Sequence, residues 1–178
     1  MMRKNSRVSL RGGDWSEEAD VLIIGGTAGG ISLAMAARRA GLTVRLVASR
    51  PYLGEDICGD MRLWPEAGND GDLAGKIFGL EGHPVTPMAV KLGLEQSLVE
   101  AGIPFLLGMY PAQPLMDAEG TVRGCRMASR SGYLDFHARL VIDATTEGTL
   151  ARMTGWKPKE EPVGLKRVVD VRLCNGEG

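Results

Sequence analysis

The most constraining feature of the sequence is a glycine-rich turn between a short apolar run and an alanine-rich segment. Val21–Ile24 is wholly apolar, as expected for a strand buried on both faces of a parallel sheet. Four glycines follow within residues 25–30, and Ile31–Ala40 then has the composition of a helix that ends at Gly41. Thr43–Val47 supplies a second strand. This order predicts a βαβ unit with parallel strands and a right-handed crossover.

Further helices and a third strand are predicted after this unit. A short helix is expected at Leu73–Phe78. Thr86 and Pro87 are the residue types of an N-cap and a first helical position, and the helix they begin is expected to end before Gly102. The apolar face expected to pack on the core consists of Met88, Leu92, Leu98 and Val99. Ile103–Leu107 predicts a third buried strand.

The next part of the chain predicts an antiparallel meander. Pro114–Met116 and Val122–Ala128 flank a turn-like tetrad, and apolar and polar residues alternate along Leu134–Leu140. A separate strand at Val141–Thr145 and a short helix at Thr149–Met153 are expected to follow. The fold class predicted is therefore α/β, a Rossmann-like three-layer domain with an antiparallel meander.

Composition restricts the partners and the compartment. Lys and Arg total 21 against 22 for Asp and Glu, and aromatic residues are only 5%, so a nucleic-acid partner is not expected. The apolar runs are too short to cross a bilayer, and residues 1–20 lack the apolar region of a signal peptide. The three cysteines are an odd number and lack the spacing of metal ligands, so neither a disulfide framework nor a zinc site is expected from Cys58, Cys125 and Cys174. We expect a cytoplasmic protein without a metal site, acting on a small molecule away from membranes.

The glycine turn is a candidate pyrophosphate site. A helix N-terminus offers unpaired N–H groups and a partial positive charge. Gly25 suits the sharp turn and Gly30 the close packing of helix on strand, whereas Thr27 replaces the middle glycine of the usual pattern. The hypothesis requires accessible amides at the start of the helix and two adjacent opening strands. The alternative is a tight turn in another doubly wound protein.

The position that usually contacts the adenosine ribose lacks its acidic residue. The second strand ends near Ala48, followed by Ser49 and Arg50. Ser49 or a backbone group could take the place of the carboxylate. Arg50 could instead neutralise the 2′-phosphate of NADP, or could be an ordinary solvated residue. The residues alone leave these alternatives open.

Two segments of the chain resemble FAD-dependent oxidoreductases of the glutathione-reductase-like class. Residues 19–55 read ADVLIIGGTAGGISLAMAARRAGLTVRLVASRPYLGE and are similar to the branch with a Gly-Gly-Thr-Pro-Ala-Gly turn, matched at Thr27, and a Leu-Gly-Gly loop, here one glycine shorter. Residues 140–155 read LVIDATTEGTLARMTG and resemble the family's Ala-Thr-Gly segment, with Thr146 at the glycine position. A meander between two such segments is typical of the class. The resemblance spans about residues 19–155.

The resemblance implies the FAD-binding portion of a flavin-dependent oxidoreductase. It predicts an FAD-binding domain at 19–155 and, at 156–178, the start of a region that is missing or supplied by a second polypeptide. The polar, charged and aperiodic residues 1–18 predict a flexible leader. A strand is expected at Arg167–Leu173. The altered glycine and acidic positions leave two alternatives, an NADP-binding reductase domain and a non-catalytic partner subunit or relic of a flavoenzyme.

The resemblance also places parts of FAD along the chain. It implies that residues 25–30 hold the pyrophosphate, 48–50 lie by the ribose, 53–58 pass near the ribityl chain or the flavin, 110–112 border the adenine and 144–146 close the pocket. The candidate cofactor-binding residues are Gly25, Gly26, Thr27, Ala28, Gly29, Gly30, Ala48, Ser49, Arg50, Gly54, Glu55, Cys58, Pro111, Ala144, Thr145 and Thr146.

No catalytic residue is assigned from the sequence. Cys58 lies where related disulfide reductases carry paired cysteines, but it has no second cysteine nearby, which favours a packed thiol. Glu55, Asp56 and Asp60 could approach flavin or substrate, although carboxylates in loops are ordinarily solvated. His83 is a further candidate for acid–base chemistry.

Overall fold

A computed structural model describes residues 16–65, 71–79 and 82–157. Its strands are β1 (Ser16–Ile24), β2 (Val44–Ala48), β3 (Phe105–Leu107), β4 (Tyr110–Met116), β5 (Val122–Ser129) and β6 (Gly132–Asp143). Its helices are α1 (Ala28–Arg39), α2 (Glu55–Cys58), α3 (Asp72–Phe78), α4 (Pro87–Glu100) and α5 (Thr149–Met153). None of these helices is long and apolar enough to cross a membrane. The strand predicted at Arg167–Leu173 lies outside the described residues.

The strands form one six-stranded sheet in the order β3-β2-β1-β6-β5-β4. β1 lies between β2 and β6 and is parallel to both, with Val21 opposite Val44 and Ile24 opposite Asp143. β3 continues the parallel part beside β2, whereas β4, β5 and β6 are antiparallel neighbours. The predicted adjacency of the first two strands and the predicted meander are both confirmed.

β6 differs from the prediction because it is one strand of 12 residues rather than two strands. Its first half pairs with β5 as far as His137, and its residues from Asp135 onward pair with β1. No glycine or proline interrupts the chain where a break was expected, so the strand continues from the meander into the parallel sheet. Leu140, expected on the buried face, is exposed beyond the last residue that pairs with β5. β1 begins at Ser16, inside the segment interpreted as a leader.

The sheet separates two apolar cores. Successive residues of β1 point to opposite faces, so Ile23 contacts the helical layer while Leu22 and Ile24 contact the other layer. The helical core is completed mainly by side chains of α1, α3 and α4. On the opposite face, buried side chains of β5 and β6 such as Met127 and Phe136 cover the sheet. Helices, parallel sheet and meander thus form the three predicted layers.

The predicted core face of α4 is wrong for three of its four residues. Thr86 does cap the helix, since its hydroxyl accepts a hydrogen bond from the amide of Ala89 at 3.2 Å. Met88, Leu92 and Val99, however, are 62, 57 and 67% exposed. The buried face is formed by Val90, Leu94, Ser97 and Leu98. Apolar residues lie on both sides of this helix, so their spacing alone did not distinguish the core face.

Candidate functional site

The glycine turn packs directly against the residue that follows β6. Gly25 has φ +125°, and a Cβ atom there would overlap the carbonyl group of Ala144. A Cβ atom on Gly30 would lie 2.9 Å from the Cβ of Ala144 and 3.0 Å from the carbonyl oxygen of Gly25. Both positions therefore require glycine, one for the sharp turn and one for the close approach of α1 to the sheet.

Thr27 connects this turn to the end of β6. It is the N-cap of α1, and its hydroxyl accepts a hydrogen bond from the amide of Gly30 at 3.1 Å. The same hydroxyl donates to the carbonyl oxygen of Ala144 at 3.0 Å, across 117 residues of chain. The residue that departs from the usual glycine pattern thus holds two distant segments of the candidate site together.

The segment after β6 is held by the last residue of that strand. The Asp143 carboxylate accepts hydrogen bonds from the Thr145 amide at 3.0 Å and hydroxyl at 2.6 Å, and from the Ala151 amide at 2.9 Å. Ala144 donates its amide hydrogen to the carbonyl oxygen of Ile24 at 2.7 Å. Of the predicted residues here, Ala144 therefore meets the glycine turn, Thr145 bonds within its own segment, and Thr146 is exposed.

The loop after β2 is anchored on the same turn. The amide of Gly54 donates to the carbonyl oxygen of Gly26 at 2.6 Å, and Leu53 is fully buried. Gly54 has φ +78°, and a Cβ atom there would lie 2.6 Å from a methyl group of Leu94 on α4. The loop is thus fixed between the glycine turn and α4 where α2 begins.

An acidic side chain of α2 lies at the front of α1. The two carboxylate oxygens of Asp56 are 3.0 and 3.1 Å from the amide nitrogen of Ala28, the first residue of α1. The amides of Gly30 and Ile31 donate to Thr27, whereas that of Gly29 makes no hydrogen bond within the described ranges. The sequence hypothesis required accessible amides here, and for Ala28 that requirement is not met.

The residues predicted beside the ribose lie at the end of β2. Ala48 is buried, and its carbonyl oxygen accepts a hydrogen bond from the amide of Met109 at 3.0 Å, which places the chain entering β4 next to it. Ser49 is half-buried. The Arg50 guanidinium lies 3.5 Å from the carboxylate of Glu55, with the arginine side chain 64% exposed and the glutamate 14% exposed. The cation at this position is therefore already paired with an anion.

Two other predicted residues lie away from the glycine turn. Pro111 is the second residue of β4, opposite Met127 of β5. The Cys58 thiol donates to the carbonyl oxygen of Pro87 at 3.6 Å, so it faces the start of α4. Burial raises the pKa of the Cys58 thiol, and the charge of Lys91 only partly opposes this, so the thiol remains protonated at neutral pH.

These features define a class of protein. A glycine turn leads from a central parallel strand into a capped helix, at the carboxyl ends of adjacent strands, where ligands bind in open α/β sheets. The last strand of the meander, β6, continues into the parallel sheet and leads to the segment that closes the site from the other side. The chain is therefore a Rossmann-like dinucleotide-binding domain.

Comparison with known families gives the cofactor class. Residues 20–160 match the family model described as FAD dependent oxidoreductase, and the chain belongs to this family. FAD is accordingly its cofactor. The matched range contains both the glycine turn and the segment after β6 that packs on it. Among curated proteins, none matches the chain in sequence.

Solved structures with a similar fold include several larger proteins. A geranylgeranyl bacteriochlorophyll reductase-like protein from Thermoplasma acidophilum has a TM-score of 0.63 at 21% identity, covering 80% of this chain and 43% of that chain. THI4 from Thermovibrio ammonificans has a TM-score of 0.59 at 19% identity, covering 79% and 64%. A myxobacterial chondrochloren halogenase, described as a variant of FAD-dependent halogenases, has a TM-score of 0.52 at 18% identity, covering 72% and 37%. The chain thus spans less than two thirds of the length of each, and the similarity concerns the fold.

The backbone at the front of α1 suits a diphosphate, but one side-chain contact does not. A side chain at Gly29 would point into open space, since its Cβ atom would have the Thr27 hydroxyl at 3.9 Å as its nearest neighbour, and the Gly29 amide makes no hydrogen bond within the described ranges. The turn and the helix thus form a cradle that lacks side-chain bulk. The Asp56 carboxylate, however, lies on the neighbouring Ala28 amide, where a phosphate would be bound. The residues fit the diphosphate of FAD if this carboxylate is displaced.

Proposed function

We propose that the chain is the FAD-binding portion of an oxidoreductase that exchanges a hydride or electrons with a small molecule. Bound FAD supplies the redox chemistry through its flavin ring, and the protein supplies binding and orientation. The observation that carries the proposal is the hydrogen bond between the Thr27 hydroxyl and the Ala144 carbonyl oxygen. It joins the glycine turn to the segment after the meander, and both lie within residues 20–160, which match the FAD-dependent family.

The proposed roles follow from where each residue lies. The amides of Gly29 and Ala28 are placed to bind the diphosphate, while Gly25 and Gly30 allow the close packing that forms the cradle. With no acidic residue at the end of β2, Ser49 or a backbone group takes the ribose hydroxyls. The other residues proposed to border FAD are Gly26, Thr27, Ala48, Arg50, Gly54, Glu55, Cys58, Pro111, Ala144, Thr145 and Thr146.

The substrate side of the enzyme is proposed to involve polypeptide outside the matched region. The chain covers 43% of the length of the structurally similar reductase-like protein. Further chain or a second polypeptide would complete the site, and no residue of this chain is assigned a catalytic role.

Within the described ranges Cys58 and Cys125 are free thiols, which supports the proposed cytoplasmic location.

The visible spectrum of the purified 178-residue chain tests the proposal. We expect the protein to bind added FAD, with a shifted flavin absorbance and quenched flavin fluorescence. Gly30→Val should abolish this binding, because even one added carbon is too close to Ala144. Gly93→Ala on α4 is a matched glycine control, because a Cβ atom there would meet only ordinary contacts at 3.9 and 4.0 Å. This control should bind FAD as the wild type does.

Thermal unfolding with and without each cofactor provides the second measurement. A ligand that binds only the folded chain raises the midpoint in proportion to the logarithm of its concentration over Kd. A chain that neither takes up FAD nor gains thermal stability with it would contradict the proposal. Stabilisation by NADPH but not FAD, lost in Arg50→Ala, would establish an NADP-binding domain instead. Stabilisation by neither cofactor would leave a non-catalytic subunit or relic.

A further inference from the structure

The Asp56 carboxylate takes the position of an anionic ligand. Anions bind at helix N-termini through exposed amides and the positive end of the helix dipole. Here both carboxylate oxygens lie within 3.1 Å of the Ala28 amide nitrogen. Asp56 reaches this amide from 28 residues further along the chain. The contact is therefore a tertiary interaction between α2 and α1, and a local capping motif does not explain it.

α1 contributes no negative group of its own at its front. Its first turn contains no acidic residue, and its N-cap Thr27 is neutral. A phosphate on the Ala28 amide would meet the Asp56 carboxylate within a few ångströms, where like charges repel strongly. The carboxylate and a diphosphate therefore compete for the same amide.

The loop that carries Asp56 is fixed, whereas the Asp56 side chain can rotate. Leu53 is fully buried, and Gly54 is hydrogen-bonded to Gly26 at 2.6 Å. α2 is a single turn of four half-buried residues, in which Ile57 and Cys58 pack on the helical core, whereas the Asp56 side chain points to α1. Rotation of the Asp56 side chain moves the carboxylate off α1 without disturbing the packing of Leu53, Ile57 or Cys58.

We propose that Asp56 is an internal competitor for the diphosphate site. Its carboxylate binds the front of α1, and the diphosphate of FAD binds by displacing it. The contact then has two effects, stabilising the fold and weakening its affinity for FAD. The identity of the ligand rests on the function proposed above, whereas the competition itself concerns any diphosphate.

Three variants of the 178-residue chain test this competition. Asp56→Ala removes the carboxylate, and Asp56→Asn removes its charge but keeps an acceptor. Asp60→Asn is the matched control, because Asp60 is exposed and makes no hydrogen bond within the described ranges, while the change in net charge is the same. Two quantities are measured for each protein: the Kd for FAD by quenching of flavin fluorescence, and the thermal midpoint with and without sodium pyrophosphate.

We expect Asp56→Ala to lower the Kd for FAD about tenfold relative to Asp60→Asn, equivalent to about 1.4 kcal/mol. Asp56→Asn should give a smaller gain, and both gains should shrink at high salt because the competition is between charges. Without ligand, Asp56→Ala should unfold at a lower temperature, because the Ala28 amide loses its acceptor. Pyrophosphate should then raise its midpoint more than that of Asp60→Asn.

Several results would overturn the proposal. An unchanged or weaker affinity for FAD in Asp56→Ala, measured against Asp60→Asn, excludes the competition while leaving the flavin assignment intact. If neither the wild type nor any variant binds FAD, the proposed function fails. The thermal midpoints with sodium pyrophosphate then test the competition by themselves. Greater pyrophosphate stabilisation of Asp56→Ala then supports the competitor, and equal stabilisation rejects it. If Asp56→Ala does not fold, the same comparisons are made with Asp56→Asn.

Discussion

Neighbouring glycines in the first turn of α1 are expected to respond oppositely to the same substitution. Gly29 and Gly30 are both helical, and neither has a positive φ. Replacing either one by alanine adds one methyl group and the same gain in helix preference, about 1 kcal/mol. Only the surroundings of the added carbon differ, so the comparison isolates packing against the end of β6.

The magnitude follows from the distances at each position. At Gly29 the new carbon would have the Thr27 hydroxyl at 3.9 Å as its nearest neighbour, so Gly29→Ala should stabilise the chain slightly. At Gly30 it would lie 2.9 Å from the Cβ of Ala144 and 3.0 Å from the backbone oxygen of Gly25. Overpacking of this kind costs about 1–3 kcal/mol. Since the helix preference cancels, Gly30→Ala should be less stable than Gly29→Ala by about that amount.

Urea denaturation and thermal unfolding measure this difference directly. For a chain of this size, a change of 1 kcal/mol corresponds to about 2–4 °C, so the two midpoints should differ by about 2–12 °C. Circular dichroism at low temperature provides the control that both variants are folded. Equal midpoints would refute the reasoning, because they would mean that α1 does not approach Ala144 as closely as the distances require.

Two other predictions concern ionisable groups. Asp135→Asn removes the paired hydrogen bonds to Arg126 at 2.7 Å and should lower the free energy of unfolding by about 0.5–1 kcal/mol at pH 7. Those hydrogen bonds lower the pKa of Asp135 in the folded chain. The stabilisation is therefore fully present at pH values above the pKa of an unfolded aspartate, about 3.9, and is lost as the pH falls through the lower pKa of the folded state. Wild-type and variant stabilities should therefore converge in acid; a constant difference would contradict this origin. Burial raises the pKa of Cys58, so this thiol should react slowly with iodoacetamide at pH 7 and faster in alkali. Mass spectrometry of the peptide that contains Cys58 measures the labelling. Rapid labelling at pH 7 would contradict the prediction, because it would indicate an exposed thiolate.

The βαβ unit was predictable because each of its parts has a local signal. An apolar run long enough for one buried strand, a glycine turn and an alanine-rich helix follow one another without a gap in the pattern. α4 lacked such a signal for orientation, since Met88 and Leu92 have the same spacing as Val90 and Leu94. Which pair becomes buried depends on what packs against the helix, and that information lies elsewhere in the chain.

The contacts that shape the candidate site were less accessible to sequence reasoning. A helix of four residues such as α2 is too short to produce a periodic pattern, so Asp56 was considered only as a loop carboxylate, either near flavin or substrate or solvated. Thr27 was first interpreted as a departure from a glycine pattern. Its hydrogen bond to Ala144 joins residues 117 positions apart, so no local pattern indicates it. The residue types indicated the kind of ligand, whereas only the tertiary structure shows that the Asp56 carboxylate lies on the Ala28 amide.

The central position of β1 has a consequence for synthesis on the ribosome. β1 emerges first, but β6, its partner on one side, is completed only at Asp143. Until then one edge of an apolar strand has no neighbour, and the Thr27 hydroxyl has no Ala144 carbonyl to bond. The nascent chain therefore exposes a strand edge able to pair with other polypeptides until Asp143 has been added. Slow translation or a shortage of chaperones should affect the yield of this chain more than that of a domain whose central strand is paired early.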